Sequence, residues 1–224
     1  MRGKLLTILT AAMLAFGASS AFAESKGDNA YRRGDYAGAM VEWQQVAQAG
    51  DATASYRIGQ LYRQGKGLRY RDFEKAVYWY QRAAGRGYVP AQYEVARLQF
   101  EGLMVPRDID EMMYWLWRAA LCGHADSQVM LGCEYEYGEP GVAANYMEAL
   151  KWYLVAAKAG PPELQARALK LAERVSAKMT PEQIDAARWL ASEWAVNDIL
   201  QLAEAYGAEG ASRSNRPSSL SVSK

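Results

Sequence analysis

The 224-residue chain is predicted to be all-α, an αα-hairpin repeat solenoid, and three observations carry that prediction. Trp43, Trp79, Trp115 and Trp152 recur at intervals of 36, 36 and 37 residues. Gly50, Gly87, Gly123 and Gly160 recur at 37, 36 and 37, each shortly after a small or double-alanine step. Between these marks each full period holds two stretches with apolar residues at helical spacing. One such unit cannot bury its apolar stripe alone. Stacked copies must therefore share a core, and atypical units must close the ends.

The chain starts with Arg2 and Lys4, an apolar run from Leu5 to Phe16, and the tripeptide Ala21-Phe22-Ala23. A basic start, a short apolar run and an A-x-A close predict a secretory signal peptide over residues 1–23, cut near Ala23. The run is shorter than the roughly 20 residues that a membrane-spanning helix needs, so no span is expected in the mature chain. No cysteine stands near the cut, which argues against a lipid anchor there. A periplasmic or secreted protein follows, and the compact signal favours a bacterium.

Residues 24–50 read as a partial, tetratricopeptide-like repeat, with the turn Gly34-Asp35-Tyr36 and only a stub of first helix before Trp43. Three full units occupy 51–87, 88–123 and 124–160. Their first helices (A) are expected at Ala52–Gln64, Ala91–Glu101 and Ala125–Tyr137, stopped by Gly65, Gly102 and Gly138. Gly59, Ala96 and Gly132 share one register, where a tiny side chain lets the partner helix approach. The second helices (B) start at the N-cap residues Asp72, Asp108 and Asn145, with Glu111 and Glu148 placed to complete capping boxes. Ala76, Trp79, Tyr80 and Ala83 form a core stripe on the first of them. Residues 161–206 hold two capping helices. The first uses Leu164, Ala168, Leu171 and Val175; the second opens on Thr180-Pro181-Glu182-Gln183 and uses Ile184, Ala187, Ala191 and Trp194. Residues 207–224 are Gly/Ser/Arg-rich and are expected to be disordered.

Composition narrows the function. One histidine and two cysteines cannot build a four-ligand Cys/His zinc site, and no metal or cofactor is expected. With 26 basic against 25 acidic residues the chain lacks the basic surplus of a nucleic-acid binder. The 7 tryptophans and 15 tyrosines would suit a binding surface, but most sit at repeat-core registers, which favours packing. No Ser/His/Asp order or phosphate loop is legible, so no catalytic residue is expected. His124 falls in a B-to-A turn where other units carry Asp51, Tyr88 and Pro161, as in a solvated turn. Cys122 and Cys133, one ending a helix and the other two turns into the next, read as separate half-buried thiols rather than a disulfide.

Ala54-Ser55-Tyr56-Arg57-Ile58-Gly59-Gln60-Leu61-Tyr62 followed by Asp72-Phe73-Glu74-Lys75-Ala76-Val77-Tyr78-Trp79-Tyr80 closely resembles the Sel-one-like (Sel1) repeat, a relative of the tetratricopeptide repeat. Ser127-Gln128-Val129-Met130-Leu131-Gly132 and Glu148-Ala149-Leu150-Lys151-Trp152-Tyr153 repeat the match, and the resemblance spans about residues 28–196. Unit two departs, with Ala96 for glycine, Met112 for alanine and Leu116 for tyrosine. The resemblance implies a superhelix acting as a non-catalytic adaptor, an exported scaffold or regulator that holds a protein or peptide partner of the bacterial envelope on its concave helix-A face. Carrying over the concave positions selects Tyr56, Gln60, Arg63, Tyr93, Arg97, Phe100 and Glu136 as partner-binding, with Thr53, Gln64, Glu101, Asp126, Val129, Cys133 and Tyr137 beside them. Exposed aromatics with arginine suit a partner groove; packing of Tyr56, Tyr93 and Val129 between units is an equal alternative. Arg63 and Arg97 could each meet a partner carboxylate. Some secreted relatives are linked to β-lactam hydrolysis, so an envelope hydrolase is one competing reading; a peptidoglycan- or polysaccharide-binding module is another.

Overall fold

The computed structural model describes residues 25–103, 108–138 and 143–207. The expected signal peptide and all of the expected tail except Gly207 lie outside them. Ten helices follow one another among the described residues: α1 Lys26–Arg32, α2 Tyr36–Gln48, α3 Ala52–Gln64, α4 Phe73–Ala84, α5 Val89–Phe100, α6 Ile109–Leu121, α7 Ala125–Tyr137, α8 Tyr146–Ala159, α9 Pro162–Ser176 and α10 Pro181–Gly207. α3, α5 and α7 are the expected A helices and α4, α6 and α8 the B helices. Two of the three A helices have the bounds expected from sequence, and α5 begins two residues early because Pro90 fits its first turn.

The local reasons are those of helix chemistry. Asp51, Asp72, Asp108 and Asn145 each accept a bond from the backbone N–H three residues on, an N-cap worth about 1 kcal/mol. Gly65 stops α3 in the left-handed region, with φ of 72°. The capping boxes expected at Glu111 and Glu148 do not form. Glu111 instead accepts from Gln81, Gln99 and Trp115, while the Asp108 N–H donates to the Gln99 side chain. Glu148 pairs with Lys151, and the Asn145 N–H is taken by the Tyr135 carbonyl. The box at Thr180 and Gln183 does form, with bonds in both directions.

Each helix packs on its chain neighbour from α1 to α9, and α8 also takes α10. Side chains then stitch the helices into two rows. The A row is joined by Asp28 with Arg57, Arg63 with Glu94, Tyr93 with His124, and Glu136 with Arg174. The B row is joined by Arg82 on the Ala47 carbonyl, Gln81 with Glu111, Trp117 with Trp152, and Lys158 on the Ala191 carbonyl. The core between the rows is filled unit by unit. Ala54, Ile58 and Leu61 pack with Trp43; Ala76, Tyr80 and Ala83 with Val95 and Leu98; Val129 and Tyr153 with Leu164 and Ala168.

Close approach explains the small register. A Cβ at Gly59 would lie 2.6 Å from the Tyr80 ring, and one at Gly132 would overlap the Tyr153 ring. In unit two the change is compensated: Ala96 packs with Leu116 and Met112 in one fully buried cluster. The substitutions that distinguish this unit's sequence are therefore a second solution to the same crossing. The expectation that the recurring tryptophans Trp79, Trp115 and Trp152 pack in the core needs correction. Trp43 and Trp152 are buried, but Trp79 and Trp115 stay half-exposed. The former two are covered by α1 and by Trp194 of α10, and the central pair has no such cover from a terminal helix. Both cysteines are free; Cys133 is half-buried but Cys122 is exposed, because it lies at the C-terminal end of α6.

Candidate functional site

The A row brings the sequence-selected residues into one register. Tyr56, Gln60 and Arg63 fall at i, i+4 and i+7 on α3, and Tyr93, Arg97 and Phe100 repeat that spacing on α5. Val129, Cys133 and Glu136 are their counterparts on α7. The three helices do not use these positions alike.

At the first position both tyrosines pack against the turn of the following unit. The Tyr56 ring lies 5.1 Å from Tyr88 and 5.5 Å from Tyr80, and its hydroxyl accepts from Gln60 at 3.0 Å. Tyr93 lies 4.7 Å from the His124 ring. Both remain half-exposed, whereas Val129 is buried. Burial raises the phenol pKa of Tyr56 and Tyr93, so both hydroxyls stay protonated. His124 is more than a solvated turn residue. It N-caps α7, with Nδ1 accepting from the Ser127 N–H at 3.3 Å, and burial lowers its pKa from the ordinary 6.5. The neutral imidazole that results is the form whose Nδ1 can accept.

At the centre of the face lies a charge row. Glu94, buried, accepts from Arg97 at 2.6 Å and stands 3.9 Å from Arg63 Nε. Arg97 also bonds Glu101. Arg97 is thus saturated by this chain's own carboxylates, and a partner carboxylate would have to displace them. Arg63 differs: its Nε is buried without a hydrogen bond, and its ion pair is long. Phe100, one unit along from Arg63, is 45% exposed.

Glu136, selected from sequence for the groove, is turned inward. Its carboxylate is buried and accepts from Arg174 at 2.6 and 3.1 Å, Lys178 at 3.0 Å and the Tyr153 hydroxyl at 2.9 Å. It fastens α9 to α7 and leaves no acceptor for a partner. Glu94, Tyr88 and His124, which the repeat pattern did not select, are parts of the face. His124 was legible only as a turn residue, and Glu94 occupies a register held by Arg57 and Met130 in the other units. Among the described residues no group of three or more His, Cys, Asp or Glu could hold a metal ion, and no helix is long and apolar enough to cross a membrane.

Paired helices in two stitched rows define an α-solenoid of αα-hairpin repeats. The sequence model of the Sel1 repeat matches residues 52–88, 89–124 and 125–161, and the chain belongs to the Sel1 repeat family. A crystal structure of a Sel1 repeat protein from Oxalobacter formigenes is 30% identical, with a TM-score of 0.50, covering 58% of this chain and 97% of that one. Among curated proteins, chitin synthase regulatory factor 4 of Schizosaccharomyces pombe is 30% identical over 69% of this chain. Regulatory factor 3 of the same yeast is 31% identical over 56%. The matches span 24% and 14% of those two proteins, so this chain corresponds to only a part of their length. Sel1 repeats are typically protein-interaction scaffolds, and that coarse class extends to this chain.

Proposed function

We propose that this chain is a non-catalytic adaptor, exported to the bacterial envelope, that holds a partner polypeptide segment across its helix-A face. The observation that carries the reading is that Arg63, whose buried Nε has no hydrogen bond, and the exposed Phe100 stand at equivalent positions of successive units. An arginine with a long ion pair and an exposed aromatic at the equivalent position of the next unit supply the residue types common in interface hot spots. Half-exposed Tyr56 and Tyr93 extend the surface, while Arg97 and Glu94 set its charge pattern. The regulatory-factor names of the yeast relatives suit an adaptor role, and the residues before Glu24 support export.

The test is affinity capture from envelope extract on purified protein, comparing wild type with the Arg63→Ala/Phe100→Ala double variant. A specific polypeptide should be retained by the wild type and reduced at least tenfold by the variant, a loss of about 1.4 kcal/mol or more. Equal retention by a natively folded variant refutes the groove assignment. Turnover of a β-lactam by the purified protein would overturn the non-catalytic reading, and a cytoplasmic location in fractionated cells would overturn export.

A further inference from the structure

Helices α4 and α6 carry the same surface element twice. Tyr78 and Trp79 stand edge to face with ring centroids 5.4 Å apart, and Tyr114 and Trp115 do so at 4.9 Å. The Arg82 guanidinium lies 5.8 and 5.2 Å from the first two centroids and donates to the Tyr78 hydroxyl at 3.1 Å. Arg118 lies 5.5 and 5.8 Å from the second two and donates to the Tyr114 hydroxyl at 2.6 Å. An exposed acid, Glu74 or Asp110, precedes each tyrosine by one turn. Acid, ring and arginine thus fall at i, i+4 and i+8, in line along one helix face. Tyr78 is 53% and Tyr114 44% exposed. The two helices are successive members of the B row and touch through Gln81 and Glu111.

The fold does not require this element. At the same registers α2 carries Glu42 and Val46, and α8 carries Lys151 and Val155, around tryptophans that terminal helices cover. Among the described B helices of the repeat units, α4 and α6 expose an aromatic residue at this register. The exposed large apolar residues of α4 and α6 are Tyr78, Ile109 and Tyr114. A docked helix would need an aliphatic pocket for its anchoring side chains, and flat rings between charges of both signs do not make one. A pyranose ring matches them better: its C–H faces are apolar and its hydroxyls ring the edge, where they can donate to a carboxylate and accept from a guanidinium.

We propose that the solvent face of α4 and α6 binds a neutral glycan chain. Two sugar residues stack on Tyr78 and Tyr114, and the flanking pairs Glu74/Arg82 and Asp110/Arg118 bond their hydroxyls. The opposite signs within each pair favour an uncharged chain over a polyanion. Duplication of the element one repeat apart selects a polymer, since two weak stacking sites joined by one chain act at high effective concentration. This surface is separate from the helix-A face and does not depend on what binds there.

The test is titration of the purified protein with cellohexaose and with the β-1,4-linked N-acetylglucosamine hexamer, followed by calorimetry and tryptophan fluorescence. A polygalacturonate fragment serves as the charged comparison. One of the neutral hexamers should bind. Tyr78→Ala/Tyr114→Ala should weaken it at least about tenfold, and Tyr78→Phe/Tyr114→Phe should retain most of the affinity. Arg63→Ala/Phe100→Ala should leave it unchanged, so failure here and failure of the adaptor reading are read separately. The proposal is overturned if neither neutral hexamer binds, if only the polyanion does, or if the folded double-alanine variant binds as the wild type does. A polypeptide captured by the wild type and lost from the double-alanine variant would overturn it in favour of a protein partner.

Discussion

Units one and three close the same helix crossing with a glycine beneath a tyrosine, and they differ in what the tyrosine hydroxyl meets. In unit one Tyr80 covers Gly59, and its hydroxyl is buried with no hydrogen-bond partner. In unit three Tyr153 covers Gly132, and its hydroxyl donates to Glu136 at 2.9 Å and lies 3.4 Å from Cys133 Sγ. Burial raises the pKa of both phenols, so both hydroxyls keep their proton. The repeat pattern therefore sets the shape of the crossing, while position in the array decides whether its polar atom is used. Unit two shows a third state, with Ala96 and Leu116 filling the crossing and no hydroxyl present.

The largest effect expected is from adding a methyl group beneath the tyrosines. Gly59→Ala and Gly132→Ala should each cost about 2–3 kcal/mol in urea unfolding, because a ring must move in a packed core. Copying unit two should then separate the crossings. Gly59→Ala/Tyr80→Leu should recover most of the loss, whereas Gly132→Ala/Tyr153→Leu should recover less, since Glu136 loses a donor. Simple additivity in both pairs would show that the glycine and the ring are not coupled.

Next come the hydroxyls alone. Tyr153→Phe should cost about 1–2 kcal/mol, while Tyr80→Phe should be neutral or mildly stabilising, because an unanswered buried donor is removed. Equal costs at the two sites would erase the distinction drawn between them.

A smaller effect is expected in acid. Burial alone would raise the Glu136 pKa, but bonds from Arg174, Lys178 and Tyr153 outweigh it and hold the carboxyl below its ordinary value. A folded-state pKa below the unfolded one adds stability that is complete above the ordinary carboxylate range and is lost as pH falls through the depressed value. Glu136→Gln should therefore flatten the acid limb of a stability–pH curve; an unchanged limb would count against the clamp.

The smallest effect belongs to His124. Its pKa lies below 6.5 in the folded protein, so the neutral cap's contribution shrinks as pH falls below that value. His124→Asp, which copies the Asp51 cap of unit one, should remove this dependence, an effect of no more than about 1 kcal/mol.

The repeat period and the helix-A bounds were legible because core registers recur with the chain. The small-residue crossing was legible for the same reason. Contacts between residues that hold different roles in different units were not. Glu136 reads as a groove residue because it shares the concave register of Arg63 and Phe100, which are half-exposed and exposed. Its burial follows from Arg174 and Lys178, some 38 and 42 residues later, in the first capping helix and the turn after it, outside the repeat pattern. Arg97 looked available because Glu94 stands at a register with no acidic counterpart. Trp79 and Trp115 looked like core because periodicity reports where a side chain starts, not whether a terminal helix covers it.

The double seating of α9 and α10 on α8 has a consequence for how such a molecule can change length. The last hairpin offers no vacant side on which another copy could stack, whereas the seams at Gly87 and Gly123 join like to like. Lengthening is therefore a matter of splicing a hairpin in at a seam, carrying the terminal seal outward intact.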